Sequence, residues 1–234
     1  MNRIVPDPVD LLNPRQAIFQ ASELATAAPF TTTTSGTTGA AVSFTSVIGT
    51  LGAQSNRYGI ASLETGTSTT GRANVISPVS DQIVPGFGRL SFCAVIRTPS
   101  SLSDATNRYG IKVGMGTSLT AITDNYGVHF RYRDNLNSGK WQAYTVDYLT
   151  SVTQTDLGVT VAAGTWYTLE AFVNADATKT VYVINGTPCA TVDAQLQSGT
   201  STYIGLNAMI IKSAGTTSRA MYIDYLDFRQ EVTR

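Results

Sequence analysis

The fold class follows from the stretch Leu157-Gly158-Val159-Thr160-Val161-Ala162-Ala163-Gly164-Thr165-Trp166-Tyr167-Thr168-Leu169-Glu170-Ala171-Phe172. Apolar and polar residues alternate in both of its halves, and a period of two is typical of half-buried strands. A second hairpin, Thr180 to Val192, follows at once, and its Asn185-Gly186 pair suits the two positive φ angles of a type I′ turn. The stretch therefore predicts an antiparallel β protein.

Strand patterns recur from Val42 onward, with turn-rich segments between them. The predicted strands are Val42–Ile48, Ala73–Ser77, Leu90–Thr98, Tyr109–Met115, Gly127–Arg133, Trp141–Asp147, Thr153–Val161, Trp166–Val173, Thr180–Ile184, Ala190–Asp193, Tyr203–Ile211 and Met221–Phe228. Because no helical crossover lies between them, they favour an all-β fold of two antiparallel sheets packed face to face, a jelly-roll sandwich. A sandwich of this kind can occupy most of a 234-residue chain.

The N-terminal segment differs from the rest and predicts an attachment arm. Asn13-Pro14 is typical of a helix start, so a short helix is expected from Pro14 to about Ala27. Thr31 to Gly39 then reads as a threonine/glycine linker. The chain divides into an arm, residues 1–42, and a jelly-roll domain, residues 43–234, with a disordered tail as the alternative for the first part. The apolar side chains expected to anchor the arm are Ile4, Val5, Leu11, Leu12, Ile18, Phe19 and Leu24.

Composition argues against several classes of function. The 16 basic and 16 acidic residues balance, and no basic block offers a footprint for a nucleic-acid backbone. Threonine occurs 34 times and glycine 20 times, against four lysines and four glutamates, which favours strands and turns over helices. No apolar run approaches the ~20 residues that span a bilayer, and the proline-broken N-terminus does not read as a signal peptide. We therefore expect synthesis in a cytoplasm without membrane insertion.

Several motifs, in this order, resemble the concanavalin-like jelly-roll domains of tailed-bacteriophage structural proteins. They are Glu64–Ala73, Asn107–Gly110, the Val161–Tyr167 strand start, the Asn185-Gly186-Thr187 hairpin, Ile210–Arg219 and Tyr222–Tyr225, so that the resemblance covers about Ser43 to Phe228. Such domains occur in tail fibres, spikes and capsid decoration proteins. The resemblance implies a virion protein, located on the particle, whose partners are other tail or capsid proteins. It also implies a homo-oligomer, with a trimer favoured.

Residues that would support catalysis or metal binding are sparse. The four glutamates are isolated, and Asp224 and Asp227, three positions apart, are expected on opposite faces of a strand. His129 is the only histidine, so a two-histidine metal site is excluded. We expect no enzyme activity, no cofactor and no metal, although Asp124-Asn125 and Asp134-Asn135 leave a loop calcium site open beside their ordinary role in turns.

The hairpin Gly127 to Asp147 is the best candidate for a binding surface. If Val128, Phe130, Tyr132 and Trp141 face the core, the other face carries a set of planar polar and aromatic side chains suited to a sugar. These are His129, Arg131, Gln142 and Tyr144. The alternatives are an ordinary solvated sheet face and a contact between subunits.

The sequence as a whole predicts a non-enzymatic virion structural protein. Its arm would anchor it, and its sandwich would be displayed as a tail-fibre or spike adhesion component or as a capsid decoration protein. The alternative is a lectin module whose main role is to bind a host-surface glycan, and a glycan-cleaving enzyme is a third class. Cys93 and Cys189 are expected to be free buried thiols, with a disulfide bond as the alternative.

Overall fold

A computed structural model gives the architecture of the chain. It describes residues 16–23, 31–35, 40–45, 60–77, 84–117, 126–147, 152–193, 196 and 204–231. These residues form fifteen strands and no α-helix. The strands are β1 Gln16–Glu23, β2 Thr31–Ser35, β3 Ala40–Thr45, β4 Ile60–Thr65, β5 Arg72–Ile76, β6 Leu90–Arg97, β7 Tyr109–Gly116, β8 Gly127–Arg133, β9 Lys140–Val146, β10 Val152–Thr160, β11 Trp166–Val173, β12 Lys179–Ile184, β13 Thr187–Asp193, β14 Gly205–Lys212 and β15 Ala220–Glu231.

Two antiparallel sheets form the sandwich, as the alternation of the sequence predicts. Sheet A has the order β13-β12-β11-β6-β15-β4-β3, and β1 also pairs with β15. Sheet B has the order β10-β9-β8-β7-β14-β5-β2. Non-consecutive strands lie side by side in both sheets, which is the connectivity of a jelly roll.

The core lies between the sheets and is rich in aromatic rings. Phe130 of sheet B meets Tyr182 of sheet A edge to face, with ring centroids 5.1 Å apart. Trp141 of sheet B contacts Tyr167 of sheet A in the same way at 5.5 Å. Such edge-to-face pairs are favourable beyond the area that they bury. The predicted inward orientation of Phe130 and Trp141 is confirmed, because both are fully buried in this layer.

The β12–β13 hairpin has the turn that its sequence predicts. Asn185 has φ 52° and Gly186 has φ 77°, so both central residues occupy the left-handed region. Asparagine tolerates this region and glycine enters it without steric cost, which explains why this dipeptide closes the hairpin. The Asn185 side chain also accepts a hydrogen bond from the Thr168 backbone N–H at 2.9 Å, which ties the turn to β11.

The predicted N-terminal helix is wrong. Gln16–Glu23 is a strand, β1, which pairs antiparallel with β15 from Glu231 to Tyr225. An isolated short helix is marginal in water, whereas an open edge of β15 supplies a full row of backbone hydrogen bonds. The predicted linker is also partly strand, because Thr31–Ser35 pairs with β5, in keeping with the preference of β-branched threonine for strands.

The division of the chain at residue 42 stays a prediction, as does the attachment role of the first part. The described strands of that part, β1 and β2, pair with sheets A and B respectively. Ile18 and Phe19 lie in β1, opposite Gln230 and Arg229. The other predicted anchoring residues, Ile4, Val5, Leu11, Leu12 and Leu24, lie outside the described residues.

A β-bulge interrupts the pairing of β15 with β6. Ile223 pairs with Ile96 and Tyr225 with Val95 of β6, so Asp224 is the additional residue. Tyr222 and Asp227 therefore lie on the same face of the sheet although they are five positions apart. The prediction that Asp224 and Asp227 face opposite sides assumed an uninterrupted strand, and the bulge removes its basis.

Neither cysteine forms a disulfide bond, in agreement with the prediction. Both are half-buried rather than buried: Cys93 lies on the outer side of β6, and the Cys189 thiol donates a hydrogen bond to the Thr187 carbonyl at 3.2 Å. Within the described ranges, no helix is long and apolar enough to cross a membrane.

A hydrogen bond between Thr145 and Tyr182 joins the two sheets through the core. Thr145 Oγ1 and Tyr182 Oη lie 2.6 Å apart, and both side chains are fully buried. Tyr182→Phe should lower the free energy of unfolding by about 1–2 kcal/mol, because it leaves the Thr145 hydroxyl buried without its partner. Chemical denaturation measures this change.

A double-mutant cycle supplies the control. Thr145→Val together with Tyr182→Phe should cost less than the sum of the two single changes, because neither polar partner then remains unpaired. A Tyr182→Phe protein as stable as the wild type would contradict the role given to this contact.

Candidate functional site

The residues predicted to bind a glycan do share one face of sheet B. His129 pairs with Tyr144 and Arg131 with Gln142 across β8 and β9. The Arg131 guanidinium lies 4.0 Å from the centroid of the Tyr144 ring, and its Nε and Nη2 donate to Gln142 Oε1 at 3.0 and 2.6 Å. The alternation of the hairpin therefore places these four side chains together, opposite the core.

This polar face is closed to solvent. His129 is 0% exposed, Arg131 2% and Tyr144 1%, and only Gln142 of the four is partly exposed. Lys112, also fully buried, lies with its Nζ 4.9 Å from the centroid of the Tyr144 ring. In this structure a glycan would reach Gln142 but not the other three side chains. Their role in glycan binding stays a prediction.

His129 is a neutral group in this layer. Burial lowers its pKa well below the usual range, and the nearby positive charge of Lys112 lowers it further. An imidazole in this environment carries no charge near neutral pH and has no access to a substrate from solvent. The chain's only histidine is therefore unsuited to acid–base catalysis in this arrangement.

The outer face of sheet A carries a different set of side chains. Across the three central strands, Glu170, Cys93 and Asp227 form one row. Phe172, Ser91 and Arg229 form the next. Residues directly opposite one another on antiparallel strands point to the same face, so each row is continuous on one surface.

These two rows and Tyr225 line a pocket of about 200 Å³. We call it the Phe172 pocket, because the Phe172 ring, at 45% exposed, is the most accessible apolar group in it. An aromatic ring that remains exposed beside polar side chains offers an apolar surface for a ligand that also forms hydrogen bonds.

Asp227 is the most constrained polar group of the Phe172 pocket. Its Oδ2 accepts a hydrogen bond from the Tyr225 hydroxyl at 3.1 Å and lies 3.5 Å from Arg229 Nε. Its Oδ1 is buried and has no hydrogen-bond partner within the described part of the chain. A buried acceptor without a partner is costly, so this carboxylate oxygen lowers the stability of the fold.

Burial also sets the ionisation of the pocket. It raises the pKa of Asp227, against the opposing effect of Arg229, and it raises the pKa of Glu170. Burial, followed by the charges of Glu170 and Asp227, raises the pKa of Cys93 to about 12. The thiol therefore remains protonated near neutral pH and is a poor nucleophile.

A second pocket, of about 240 Å³, lies at the other end of the same face. We call it the loop pocket, because residues from the β6–β7 and β14–β15 loops complete it. The side chains that matter to its chemistry are Glu64, Arg97, Ser100, Ser218, Arg219 and Tyr222. It combines two guanidinium groups, one carboxylate, two serine hydroxyls and one tyrosine side chain.

Neither pocket was recognised in the sequence. Glu170 and Asp227 lie on strands that are distant along the chain, and β6 brings them onto one surface. The alternation of Trp166–Val173 was a usable signal, since it places Glu170 and Phe172 together on the side away from the core. The register of β15 against β6 was not readable, because the bulge at Asp224 changes it.

In the regions that the structure covers, no three or more histidine, cysteine, aspartate or glutamate side chains are grouped so that they could hold an ion. Asp134 instead accepts a hydrogen bond from the Ser103 hydroxyl at 2.9 Å and lies 3.8 Å from Arg108 Nε, so it has a structural role. Asp124 and Asn125 lie outside the described residues.

The raised pKa of Asp227 predicts a pH dependence of stability. A carboxyl group whose pKa is higher in the folded state favours folding less once it ionises, so stability should fall as the pH rises from about 4 through the folded-state pKa. Asp227→Asn removes this ionisation. The difference in stability between the variant and the wild type should therefore shift in favour of the variant between pH 4 and pH 7. Denaturation of both proteins at the two pH values measures this shift.

Asp193→Asn is the matched control, because Asp193 is an exposed carboxylate on the edge strand β13. A difference between Asp227→Asn and the wild type that does not change with pH would contradict the prediction.

Solved structures similar to the chain include several domains named for carbohydrate recognition. A point mutant of the Emp46p carbohydrate recognition domain aligns with a TM-score of 0.57 at 8% identity, over 91% of this chain and 96% of that one. The Emp47p carbohydrate recognition domain aligns with a TM-score of 0.53 at 12% identity, over 90% and 94% of the two chains. These identities show a shared fold.

The botulinum neurotoxin DC binding domain, solved in complex with SialylT, aligns with a TM-score of 0.51 at 12% identity. The match covers 88% of this chain and 44% of that one, so the chain spans less than half of the toxin domain. The predicted lectin-like jelly roll is thus confirmed at the level of fold.

No curated protein matches the chain. A family model described as "SO2946-like, C-terminal domain" matches residues 56–224, which include strands β4 to β14 and the first part of β15. The chain therefore belongs to the SO2946-like, C-terminal domain family.

Proposed function

We propose that this protein is a non-enzymatic glycan-binding module and that the Phe172 pocket is its sugar site. The observation that carries the proposal is the exposed Phe172 ring beside the partly exposed side chains of Glu170 and Arg229 in one pocket. The carbohydrate recognition domains that share the fold support it as analogy.

A sugar ring suits both features of the pocket. Its C–H face is apolar and would pack on Phe172, while its hydroxyl groups would donate to Glu170. Arg229 lies beside Asp227 and would donate to sugar oxygens. The pocket therefore supplies acceptors, a donor and an apolar surface within one small volume.

A glycan-cleaving enzyme is the rival function, because two carboxylates do face this pocket. Glu170 and Asp227 lie two strands apart, which puts their Cα atoms roughly 10 Å from each other. One feature favours binding over hydrolysis. The protonated Cys93 thiol occupies the position between the two acids.

The biological setting that we propose is a tailed-phage virion. It rests on the sequence resemblance alone, and the tail-fibre or spike component and the capsid decoration protein both remain open. In this setting the sandwich would be displayed outward as a homo-oligomer, with a trimer favoured, and the N-terminal segment would contact other virion proteins. A host-surface glycan would then be the ligand of the module.

The proposal predicts a specific loss of binding. Phe172→Ala should lower the affinity for a bound oligosaccharide by about tenfold, because a central aromatic anchor is lost. Glu170→Gln should lower it as well, because an amide offers one acceptor where the carboxylate offers two. A glycan array identifies the oligosaccharide, and calorimetry of each variant gives the affinity.

Phe87→Ala is the matched control, since Phe87 is 55% exposed and lies outside the pocket. Equal binding by Phe172→Ala and Phe87→Ala would refute the proposed site. Release of reducing ends from the bound glycan, abolished by Glu170→Gln, would refute the non-enzymatic function.

A further inference from the structure

The loop pocket has an excess of positive charge. Arg97 and Arg219 contribute two guanidinium groups to its wall, and Glu64 contributes the one carboxylate. Glu64 Oε1 already accepts a hydrogen bond from the Ser62 hydroxyl at 3.2 Å. The Phe172 pocket has the opposite balance, with two carboxylates and one arginine. The two ends of the outer face therefore suit ligand groups of different charge.

Arg219 keeps donor capacity that the fold does not use. Its side chain is only 13% exposed, and its Nε has no hydrogen-bond partner among the residues that the structure covers. Its nearest acid is Asp104, at 3.9 Å from Nη2, a long contact for an ion pair. The Asp104 carboxylate is already held by the backbone N–H groups of Thr106 and Asn107, at 2.8 and 2.7 Å.

The backbone around Arg219 fixes its position. Its N–H donates to Thr65 Oγ1 at 3.0 Å, and its carbonyl accepts from the Thr65 N–H at 3.0 Å. Its charge acts within the fold as well, because burial and the Arg219 charge both lower the pKa of Lys212. The guanidinium is thus a fixed, poorly compensated cation at the wall of the pocket.

Arg97 is also held in place. It is the last residue of β6 and pairs with Tyr222 of β15. Its Nε donates to the Gly164 carbonyl at 2.9 Å, and its guanidinium carbon lies 6.0 Å from the centroid of the Tyr222 ring. These contacts use one of its five N–H donors and restrain the rest of the planar group. Two positioned guanidinium groups are the arrangement that best recognises a planar or tetrahedral oxyanion.

We propose that the loop pocket binds the carboxylate or sulfate group of an acidic glycan. This inference rests on the proposed function, and it names the class of glycan. The oxyanion accepts hydrogen bonds from the guanidinium groups of Arg219 and Arg97. The Ser100 and Ser218 hydroxyls, which also line the pocket, contact the sugar that carries the group.

Both pockets lie on the same face of the same strand, which allows a single glycan chain to occupy them. Arg97 and Cys93 are four positions apart on β6, a distance of roughly 13 Å along the strand. The acidic unit thus occupies the loop pocket while a further unit of the chain packs on Phe172. Specificity for an acidic glycan comes from the loop pocket, and stacking of a sugar ring comes from the Phe172 pocket.

The test compares three oligosaccharides of similar length: a polyuronate, a sulfated glycan and a neutral glycan. Affinities of the wild type, Arg97→Gln, Arg219→Gln and Glu64→Gln are measured by calorimetry at low and high salt. We expect each arginine variant to lose about tenfold in affinity for an acidic glycan and to leave the neutral glycan unaffected. Glu64→Gln should bind the acidic glycan several times more tightly, a gain that misfolding cannot produce. Preference for one of the two acidic glycans identifies the anionic group.

Arg89→Gln is the matched control, because Arg89 is an exposed arginine outside both pockets. Wild-type affinity for acidic glycans in both arginine variants and in Glu64→Gln overturns the inference. If Phe172→Ala still loses binding in that case, the proposed function stands. If the wild type binds none of the three glycans, the proposed function and the inference both fall. Affinity for the acidic glycan that does not decrease with salt also overturns the inference, because exposed charge pairs are screened.

Discussion

The position of β6 between β11 and β15 is the constraint on which this structure depends. Its inward residues, Leu90, Phe92, Ala94 and Ile96, are buried in the core. On its outward side, Ser91 and Cys93 line the Phe172 pocket and Arg97 lines the loop pocket. A slip of one residue would exchange the two sets, because side chains alternate strictly along a strand. The cost of exposing four core side chains therefore also fixes the arrangement of the outer face. Stability and the candidate site are set by the same register.

The sequence predicts the structure well where the pattern within a single strand determines which of its residues face the core. The alternation in Gly127–Arg133 and Trp166–Val173 predicted both strands with the bounds that the structure has, and the first of them placed Phe130 in the core. The Asn185-Gly186 turn was equally clear, because the φ angles it needs are available to few residues. Local patterns of this kind need no knowledge of neighbouring strands.

Features that depend on pairing between distant strands were not predictable in this way. β1 has a sequence compatible with a helix, and only the edge of β15 makes it a strand. The pairing of Glu170 and Asp227 through Cys93 likewise requires the order of strands in sheet A. The face of His129 and Arg131 was predicted correctly, but its burial was not, because alternation shows which side a residue faces and not what covers that side.

The bulge at Asp224 determines whether the residues of the two pockets share one face of the sheet. Tyr222 belongs to the loop pocket and Asp227 to the Phe172 pocket, and an odd number of positions separates them on one strand. Only the additional residue between Ile223 and Tyr225 puts both side chains on the same face of the sheet. Loss of one residue at this position would send Asp227 toward the core and divide the surface in two. The length of this strand is therefore under tighter constraint than the identity of the residue that forms its bulge.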